Sequence, residues 1–372
     1  MEDIKMTATK APYAKLKPAL DAAFSAVMAQ MDFEDGPQVQ SFVRSLETYF
    51  QAPYALPCTD GVEALKASLR LLQLPAQAEI IVPAFGDAML VTVLLQLGLK
   101  PVIADVDLDT YTVTAATVAK VITSQTKGVV VSHLFGQGAA VFEIRALCQT
   151  YNSWLIEDAS QALGAVYTAP DGKKHRAGAV GDVGITNFYP TKPALDSGEG
   201  AAVLVNNAAL AATVEQMQVQ GILGEQVYRS RLGTLQAAMM EVKLPFVEEY
   251  NAARQEVAHF YDSAFRGIAG VQVPQQTSDR CHTYQQYTIT VAPELRDGLQ
   301  QHLYENYIPS AVFYAQPLHQ TFPSLTFNNS QQLSGAAKAA KSTLSLPLHS
   351  ELKEEQLAYI CQNVVNYVKQ NV

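Results

Sequence analysis

The feature that most constrains this chain is a regular alternation of short apolar runs with amphipathic segments, from Tyr54 to Ile156. Such an alternation is typical of a parallel α/β sheet, in which a helix connects one strand to the next. Five runs in this region and two after it are predicted to be strands: 54–57, 79–82, 101–104, 128–132, 153–156, 183–188 and 201–205. We therefore predict an α/β fold around a mostly parallel, seven-stranded sheet.

The pattern changes after about Leu244. A long helix is predicted through Phe260, followed by strand-like runs over 284–291 and an amphipathic end over 357–368. We predict a large domain over residues 1–245, including the N-terminal segment, and a smaller α+β domain over residues 246–372. A chain of 372 residues with 48% apolar composition is long enough for two such cores.

Charge and cysteine content limit the partners of the protein. The formal net charge of −9 provides no bulk positive field for nucleic acid, so we expect no nucleic-acid partner. The four cysteines are scattered without the spacing of metal ligands, and we expect no metal. The chain starts with the polar segment MEDIKMTATK and shows no signal segment, so a reducing cytoplasm is the expected compartment.

One apolar stretch, Ile80 to Leu99, is nearly long enough to cross a bilayer. Pro83, Gly86 and Asp87 interrupt it, and an aspartate near the bilayer centre would cost about 3 kcal/mol. We therefore predict a buried strand, a loop and a core-facing helix that ends near Gly98, and no membrane segment.

The segment WLIEDASQALGA carries the first candidate site residues. Glu157 and Asp158 follow an apolar strand, and Gln161 comes three residues later. Ligands of parallel sheets bind at the carboxyl ends of the strands. A carboxylate there can pair with a protonated pyridine nitrogen and keep that ring cationic. The alternative, that the acidic pair caps the next helix, stays open at this point.

The second candidate is Lys192, in a loop between two apolar strands. A single loop lysine is usually solvated. This one stands between Tyr189-Pro190 and the turn Gly198-Glu199-Gly200. A Schiff-base lysine needs such a sharply turning backbone and a partly buried amine whose pKa is lowered by desolvation.

Taken together, IEDASQALGA, FYPTK and GEGA, in this order and spacing, resemble the DegT/DnrJ/StrS family of sugar aminotransferases. Further segments extend the resemblance over nearly the whole chain: FEDGPQVQSF, DGVEALKASL, EIIVPAF, PVIADVDLDTYTV, SHLFG, VFYAQPLH and LSLPLH. The resemblance implies the aspartate aminotransferase fold (fold type I) and pyridoxal phosphate as cofactor. It also implies amino transfer, usually from glutamate, to a nucleotide-linked keto-sugar, in a homodimer with active sites at the subunit interface.

The resemblance assigns roles to individual residues. Lys192 would be the cofactor lysine and proton shuttle, Asp158 the partner of the pyridinium nitrogen, and Gln161 a contact to the ring substituents. Tyr189, Tyr314 and His319 would lie near the substrate.

For the phosphate, Asp60, Gly61 and Val62 would offer backbone N–H groups at a helix N-terminus, where the helix dipole favours an anion. The same turn also fits a plain capping box, because Glu63 follows Asp60 by three residues. Both interpretations can hold together.

Four positions depart from the family pattern. Val62 replaces a phosphate-binding threonine, Asn187 replaces a serine that binds the same phosphate, and Asp87 replaces a stacking aromatic residue, although Phe85 is close. Arg229 replaces an asparagine that reaches the phosphate from the neighbouring subunit. We predict a rearranged site in which Arg229 binds the phosphate, since arginine does so bidentately. The alternatives are a decayed site and a solvated Arg229.

Two further features have an ordinary structural explanation beside a functional one. His133 ends a strand and either lines the pocket or is a satisfied core histidine. The segment Gly178 to Gly184 lacks the context of a dinucleotide fingerprint, and we predict a flexible lead-in to the next strand.

The sequence thus favours a pyridoxal-phosphate aminotransferase acting in cell-surface polysaccharide biosynthesis. A sugar dehydratase is the weaker enzymatic alternative, because relatives that dehydrate sugars replace this lysine by histidine. A non-catalytic or regulatory homologue is the other alternative, suggested by the altered phosphate contacts.

Overall fold

The computed structural model of the protein describes residues 3–7, 10–34, 36–188, 198–217, 222–223, 226–227, 230–325 and 333–372. Its helices are α1 Lys10–Gln30, α2 Pro37–Phe50, α3 Gly61–Leu71, α4 Met89–Gln96, α5 Ala115–Ala119, α6 Val141–Thr150, α7 Ala211–Glu215, α8 Thr234–Lys243, α9 Val247–Phe265, α10 Pro293–Glu305, α11 Leu318–Thr321, α12 Ser334–Ser342 and α13 Glu354–Asn371. Its strands are β1 Tyr54–Cys58, β2 Glu79–Pro83, β3 Lys100–Ala104, β4 Thr126–Ser132, β5 Trp154–Asp158, β6 Val166–Thr168, β7 Lys174–Arg176, β8 Val183–Asn187, β9 Ala201–Val205, β10 Ile222–Leu223, β11 Gln226–Val227, β12 Val271–Gln272, β13 Tyr287–Val291 and β14 Thr343–Leu346.

A seven-stranded sheet in the order β1-β9-β8-β5-β4-β2-β3 forms the centre of the molecule. Neighbours from β8 to β3 are parallel, whereas β9 is antiparallel to both β8 and β1. The seven apolar runs of the sequence are the seven strands of this sheet, which confirms the predicted fold class. They were recognisable because a sheet covered on both faces buries nearly every strand residue.

Helix α3 shows how the sequence directs a helix onto this sheet. Leu65, Leu69 and Leu71 of this helix are buried. Burying each leucine stabilises the fold by about 1.5–3 kcal/mol relative to an exposed one. This packing directs the N-terminus of α3 toward the end of β8, because a Cβ added to Gly61 would lie 2.8 Å from Nδ2 of Asn187.

The apolar stretch from Ile80 to Leu99 divides as predicted into β2, a bend and α4. Gly98 follows this helix with a φ of +68°, the left-handed conformation that ends many helices. In the described part of the chain, no helix is both long enough and apolar enough to span a membrane.

A second core is built from α9, α10, α13, β13 and β14. Helix α9 contributes to this core and to a smaller cluster: Tyr261 and Phe265 belong to the second core, while Val247 and Tyr250 pack with residues of α2 and α8. The N-terminal segment also reaches the second core region, since Leu348 N–H donates to Met6 O at 3.2 Å. The domain boundary at residue 245 stays a prediction.

Candidate active site

A cavity of about 610 Å³ lies at the carboxyl ends of the central strands. Its walls come from the start of α3, the start of α4, the ends of β5 and β8, residue 199, and residues 285–286 and 313–314 from the C-terminal part of the chain. Because parallel strands end at the same edge of a sheet, segments distant in sequence meet here. The volume is that of a typical small-molecule site.

Asp158 lines this cavity at the end of β5. Its Oδ1 accepts a hydrogen bond from Ser160 N–H at 3.1 Å, and its Oδ2 lies 3.4 Å from the Ser132 hydroxyl at the end of β4. The carboxylate therefore fixes the following turn and also faces the cavity. β5 is followed by this turn and by β6 rather than by a helix, so the helix-cap alternative is wrong and Asp158 fixes a turn instead.

Glu157, the adjacent acid, faces the opposite side of β5 and is fully buried. It accepts hydrogen bonds from Gly178 N–H at 3.0 Å, Val180 N–H at 2.6 Å and Gly181 N–H. Burial disfavours the charged form, but the bonds from His133 and these N–H groups hold the pKa of Glu157 below its ordinary value.

The segment from Gly178 to Gly184 is therefore not the flexible lead-in that we predicted. Three of its N–H groups bind one buried carboxylate, and Asn206 Nδ2 donates to Gly178 O and Gly181 O. The sequence could not show this, because the partner carboxylate lies more than twenty positions earlier in the chain.

We considered two alternatives for His133, a residue that lines the pocket and a satisfied core histidine. The second is correct, because His133 is buried and does not line the cavity. Its Nδ1 accepts from Ala139 N–H at 3.1 Å, so the proton of the neutral ring is on Nε2. Nε2 donates to Glu157 at 3.0 Å. His133 thus supports the strand end that carries Asp158 without contacting the cavity.

Gln161 and Tyr314 meet in the cavity wall, 153 positions apart in the chain. Gln161 Nε2 donates to the Tyr314 hydroxyl at 2.9 Å, and Gln161 Oε1 accepts from Phe135 N–H at 2.9 Å. Burial raises the pKa of Tyr314, the bond from Gln161 opposes this, and the charges of Asp87 and Asp158 raise the pKa further. Tyr314 is therefore a neutral phenol whose hydroxyl lies within the electrostatic reach of both carboxylates.

Phe85 lies behind this wall rather than in it. Its ring is buried and packs edge-on against Tyr314, with 5.5 Å between the ring centroids. Phe85 therefore supports Tyr314 and does not itself line the cavity.

The N-terminus of α3 forms the other end of the cavity. Asp60 Oδ1 accepts from Val62 N–H at 2.8 Å and from Glu63 N–H at 2.9 Å. The predicted capping box is half formed, because the Glu63 carboxylate pairs with Lys66 at 2.8 Å instead. Asp60 thus accepts from one of the three N–H groups expected for a phosphate, that of Val62.

The remaining predicted residues divide into three groups. Asp87 and Asn187 line the cavity. His319, in α11, does not line it; burial lowers the pKa of this histidine and Asp105 opposes the shift. Tyr189, Lys192 and Arg229 lie outside the described residues.

The lining residues that were not predicted include Glu199, Gln285, Gln286 and Phe313. Glu199 belongs to the GEG turn that pointed to Lys192, so its position carried a usable signal. The two glutamines follow Tyr284, whose backbone has the left-handed φ of +49°. That turn brings them to the cavity, and nothing in the local sequence indicates it.

The profile of the DegT/DnrJ/EryC1/StrS aminotransferase family matches residues 15–365. The chain belongs to this family. Membership confirms the predicted enzyme class, an aminotransferase that depends on pyridoxal phosphate.

Curated relatives extend over almost the full chain. The pleiotropic regulatory protein of Geobacillus stearothermophilus is 33% identical and covers 96% of each chain. The UDP-2-acetamido-2-deoxy-3-oxo-D-glucuronate aminotransferase of Pseudomonas aeruginosa is 31% identical, with 95% of this chain and 97% of its own covered. The UDP-N-acetyl-3-dehydro-α-D-glucosamine 3-aminotransferase of Acidithiobacillus ferrooxidans is 29% identical, with 96% of each covered.

Solved structures agree with this fold. A DegT/DnrJ/EryC1/StrS aminotransferase from Brucella abortus has a TM-score of 0.86 at 30% identity, with 98% of this chain and 99% of its own covered. DesV of Streptomyces venezuelae, solved with a ketimine intermediate, has a TM-score of 0.90 at 26% identity, with 99% of each chain covered. This sugar aminotransferase therefore has the predicted fold of the family.

Proposed function

We propose that this enzyme transfers an amino group from glutamate to a keto-sugar carried by a nucleotide. The observation that carries the proposal is the position of Asp158, a carboxylate at the end of β5 that faces a cavity of about 610 Å³. Two relatives that cover nearly the whole chain are named for aminotransfer to UDP-linked keto-sugars.

The residues of the cavity fit pyridoxal phosphate. When bound, this cofactor supplies an electron sink for negative charge at the substrate carbon. Asp158 would hold the proton on the ring nitrogen, because a nearby carboxylate favours the cationic form of a base. Gln161, fixed by Phe135 and Tyr314, would orient the ring through its remaining N–H. Lys192 would carry a proton between substrate and cofactor.

The phosphate end needs more positive charge than one subunit supplies. The helix dipole of α3 provides a partial charge, but Asp60 offsets it and Val62 contributes no hydroxyl. Arg229 from the neighbouring subunit would supply the missing charge. The active enzyme would then be a homodimer in which each site is completed by its partner.

We further infer a cytoplasmic enzyme that supplies amino sugars for cell-surface polysaccharide. Its four cysteines are free thiols, as is usual in a reducing compartment. Glutamate and a nucleotide-linked sugar are its two substrates, and no nucleic acid or membrane takes part.

The test is transfer of labelled nitrogen. The purified protein is incubated with pyridoxal phosphate, ¹⁵N-glutamate and a series of nucleotide-linked keto-sugars, and the products are weighed by mass spectrometry. We expect one sugar to gain a ¹⁵N amino group while glutamate becomes 2-oxoglutarate. The Lys192→Ala variant should fold and give no product.

Two other results would contradict the proposal. Loss of water from the sugar without gain of nitrogen would indicate a dehydratase. Binding of a sugar or cofactor without any turnover would favour a regulatory homologue, a function suggested by the name of the Geobacillus relative. Wild-type turnover by the Lys192→Ala variant would refute the role of Lys192.

A further inference from the structure

A second cavity, of about 470 Å³, lies at the edge of the central sheet opposite to the candidate active site. Its wall includes Pro53, which precedes β1, Ala179, which precedes β8, and Asn206, which follows the antiparallel β9. The candidate active site lies instead at the carboxyl ends of β5 and β8. The two cavities are therefore separate, and they share no lining residue.

The wall of this second cavity is basic. Its charged or titratable lining residues are one from α6 and three from β7: Arg145, Lys174, His175 and Arg176. Within the described part of the chain, no aspartate or glutamate lines the same wall. The whole chain has a formal net charge of −9, so this local excess of cations opposes the overall charge. A concave wall of one charge sign concentrates ligands of the other sign, which here are anions.

Arg176 is fixed by its neighbours. Its Nε donates to Tyr49 O at 2.8 Å, and its guanidinium carbon lies 3.8 Å from the centroid of the Tyr49 ring. Its Nη1 forms an ion pair with Glu248 at 2.7 Å. Because Glu248 offsets the charge of Arg176, this arginine mainly holds the wall in place.

Arg145 and Lys174 supply the positive charge that is open to a ligand. Both residues are exposed, and no carboxylate of the described residues forms an ion pair with either. Arg145 is oriented by Nη1, which donates to Val180 O. Its Nε and Nη2 form the other edge of the guanidinium, and such an edge can donate two parallel hydrogen bonds to a phosphate.

The cavity also has an apolar part, to which Phe50 and Val166 contribute. Its volume of about 470 Å³ is within the range of small-molecule sites and is far larger than a single phosphate group requires. Apolar surface together with a few fixed polar groups is typical of a site for an organic ligand.

We propose that this cavity is a second binding site, for a phosphorylated organic molecule of nucleotide size. Arg145 and Lys174 bind its phosphate groups, and Phe50 and Val166 contact its less polar part. The site lies away from the candidate active site, so this proposal goes beyond the proposed function and does not depend on it.

Equilibrium titration of the cofactor-loaded protein tests this proposal. The probes are uridine diphosphate, inorganic pyrophosphate and uridine, each measured by calorimetry at low and high salt. The variants are Arg145→Gln and Lys174→Ala, and the matched control is Lys173→Ala. Lys173 is the neighbouring lysine of the same hairpin, but it pairs with Asp171 at 3.2 Å and does not line the cavity. Because uridine diphosphate can also enter the candidate active site, the proteins are compared with one another.

We expect Arg145→Gln and Lys174→Ala each to bind one equivalent of uridine diphosphate at least about tenfold more weakly than the wild type, since each loses a charge-assisted hydrogen bond. Lys173→Ala should bind like the wild type. High salt should weaken the binding at this site because it screens exposed charges. Uridine, which lacks phosphate, should bind at least about tenfold more weakly than uridine diphosphate.

Three results would overturn the proposal. The first is binding of uridine diphosphate that is equal in number of sites and in Kd for the wild type and all three variants. The second is pyrophosphate bound as tightly as uridine diphosphate, which would indicate an adventitious ion only. The third is uridine bound as tightly as uridine diphosphate. None of these results depends on turnover, so they leave the proposed function intact, and failure of amino transfer leaves this second site intact.

Discussion

At the scale of single residues, the site depends on two adjacent acids with opposite surroundings. Glu157 is enclosed by His133 and backbone N–H groups, whereas Asp158 faces the cavity. Successive side chains of a strand point to opposite faces, so neighbours in sequence serve different parts of the molecule. Glu157 binds the groups that pack around the end of β5, and Asp158 is available to bind a ligand.

Replacing Asp158 by Asn should leave the fold intact and lower kcat by at least about two orders of magnitude, because the electron sink weakens when the ring nitrogen loses its anionic partner. The amide keeps an oxygen for Ser160 N–H, so the turn should persist. Steady-state kinetics and thermal unfolding, measured in parallel, check this. An unchanged kcat would show that Asp158 serves only the turn.

Replacing Glu157 by Gln should instead destabilise the protein by about 3–5 kcal/mol at pH 7, the usual effect of breaking a buried charged network. The new NH₂ group would face donors, since His133 Nε2 and three backbone N–H groups point at this position.

The pH dependence of this effect has a defined sign. The pKa of Glu157 is lowered in the folded protein, so its stabilising contribution is present above the unfolded pKa of about 4.3 and is lost as pH falls through the folded value. Urea unfolding of wild type and variant should therefore converge at acidic pH. A difference that does not depend on pH would contradict an ionised Glu157.

At the scale of elements, α3 has two functions at one end. Its N-terminus is capped by Asp60 and also faces the cavity as the expected phosphate site. These functions conflict, because the carboxylate that satisfies the helix also repels an anion.

Two substitutions at Asp60 separate these functions. Asp60→Ala should destabilise the protein by about 0.5–2 kcal/mol through loss of the cap. Asp60→Asn should keep the cap, because asparagine is an equally good N-cap residue, and should bind pyridoxal phosphate a few-fold more tightly. Denaturant unfolding measures the change in stability, and titration with pyridoxal phosphate measures the change in cofactor affinity. Weaker cofactor binding by Asp60→Asn would show that the phosphate does not lie at this helix end.

At the scale of the whole molecule, the proposed phosphate site would couple cofactor retention to dimerisation, because one subunit supplies too few donors for the phosphate. Nothing in the described wall of one chain supplies a full positive charge. If Arg229 of one subunit reaches the phosphate of the other, the cofactor links the two chains, and their association and cofactor binding are thermodynamically coupled.

Arg229→Ala should therefore lower the affinity for pyridoxal phosphate about ten- to a hundredfold, the value of a charged hydrogen bond of roughly 1.5–3 kcal/mol. Titration of the apo forms at equal protein concentration measures this, and dilution below the dimerisation range should release cofactor from the wild type. The Arg231→Ala variant serves as a neighbouring control. If wild type and Arg229→Ala bound pyridoxal phosphate with equal affinity, Arg229 would not bind the phosphate and would be a solvated surface residue.

The sequence by itself determined the sheet and the edge at which the candidate site lies. Its seven strands are contiguous apolar runs because both faces of a central sheet are buried, and Asp158 was recognisable because it stands at the end of one of them. These signals are local, so they can be recognised without knowing how the chain folds back.

Only the tertiary structure decided which groups meet. It placed Glu157 inward, paired Gln161 with Tyr314 across 153 positions, and showed that Glu63 pairs with Lys66. It also brought Gln286 into the cavity wall. The reason is physical: such contacts depend on how distant elements pack, and the residues near each partner in sequence carry no trace of that packing.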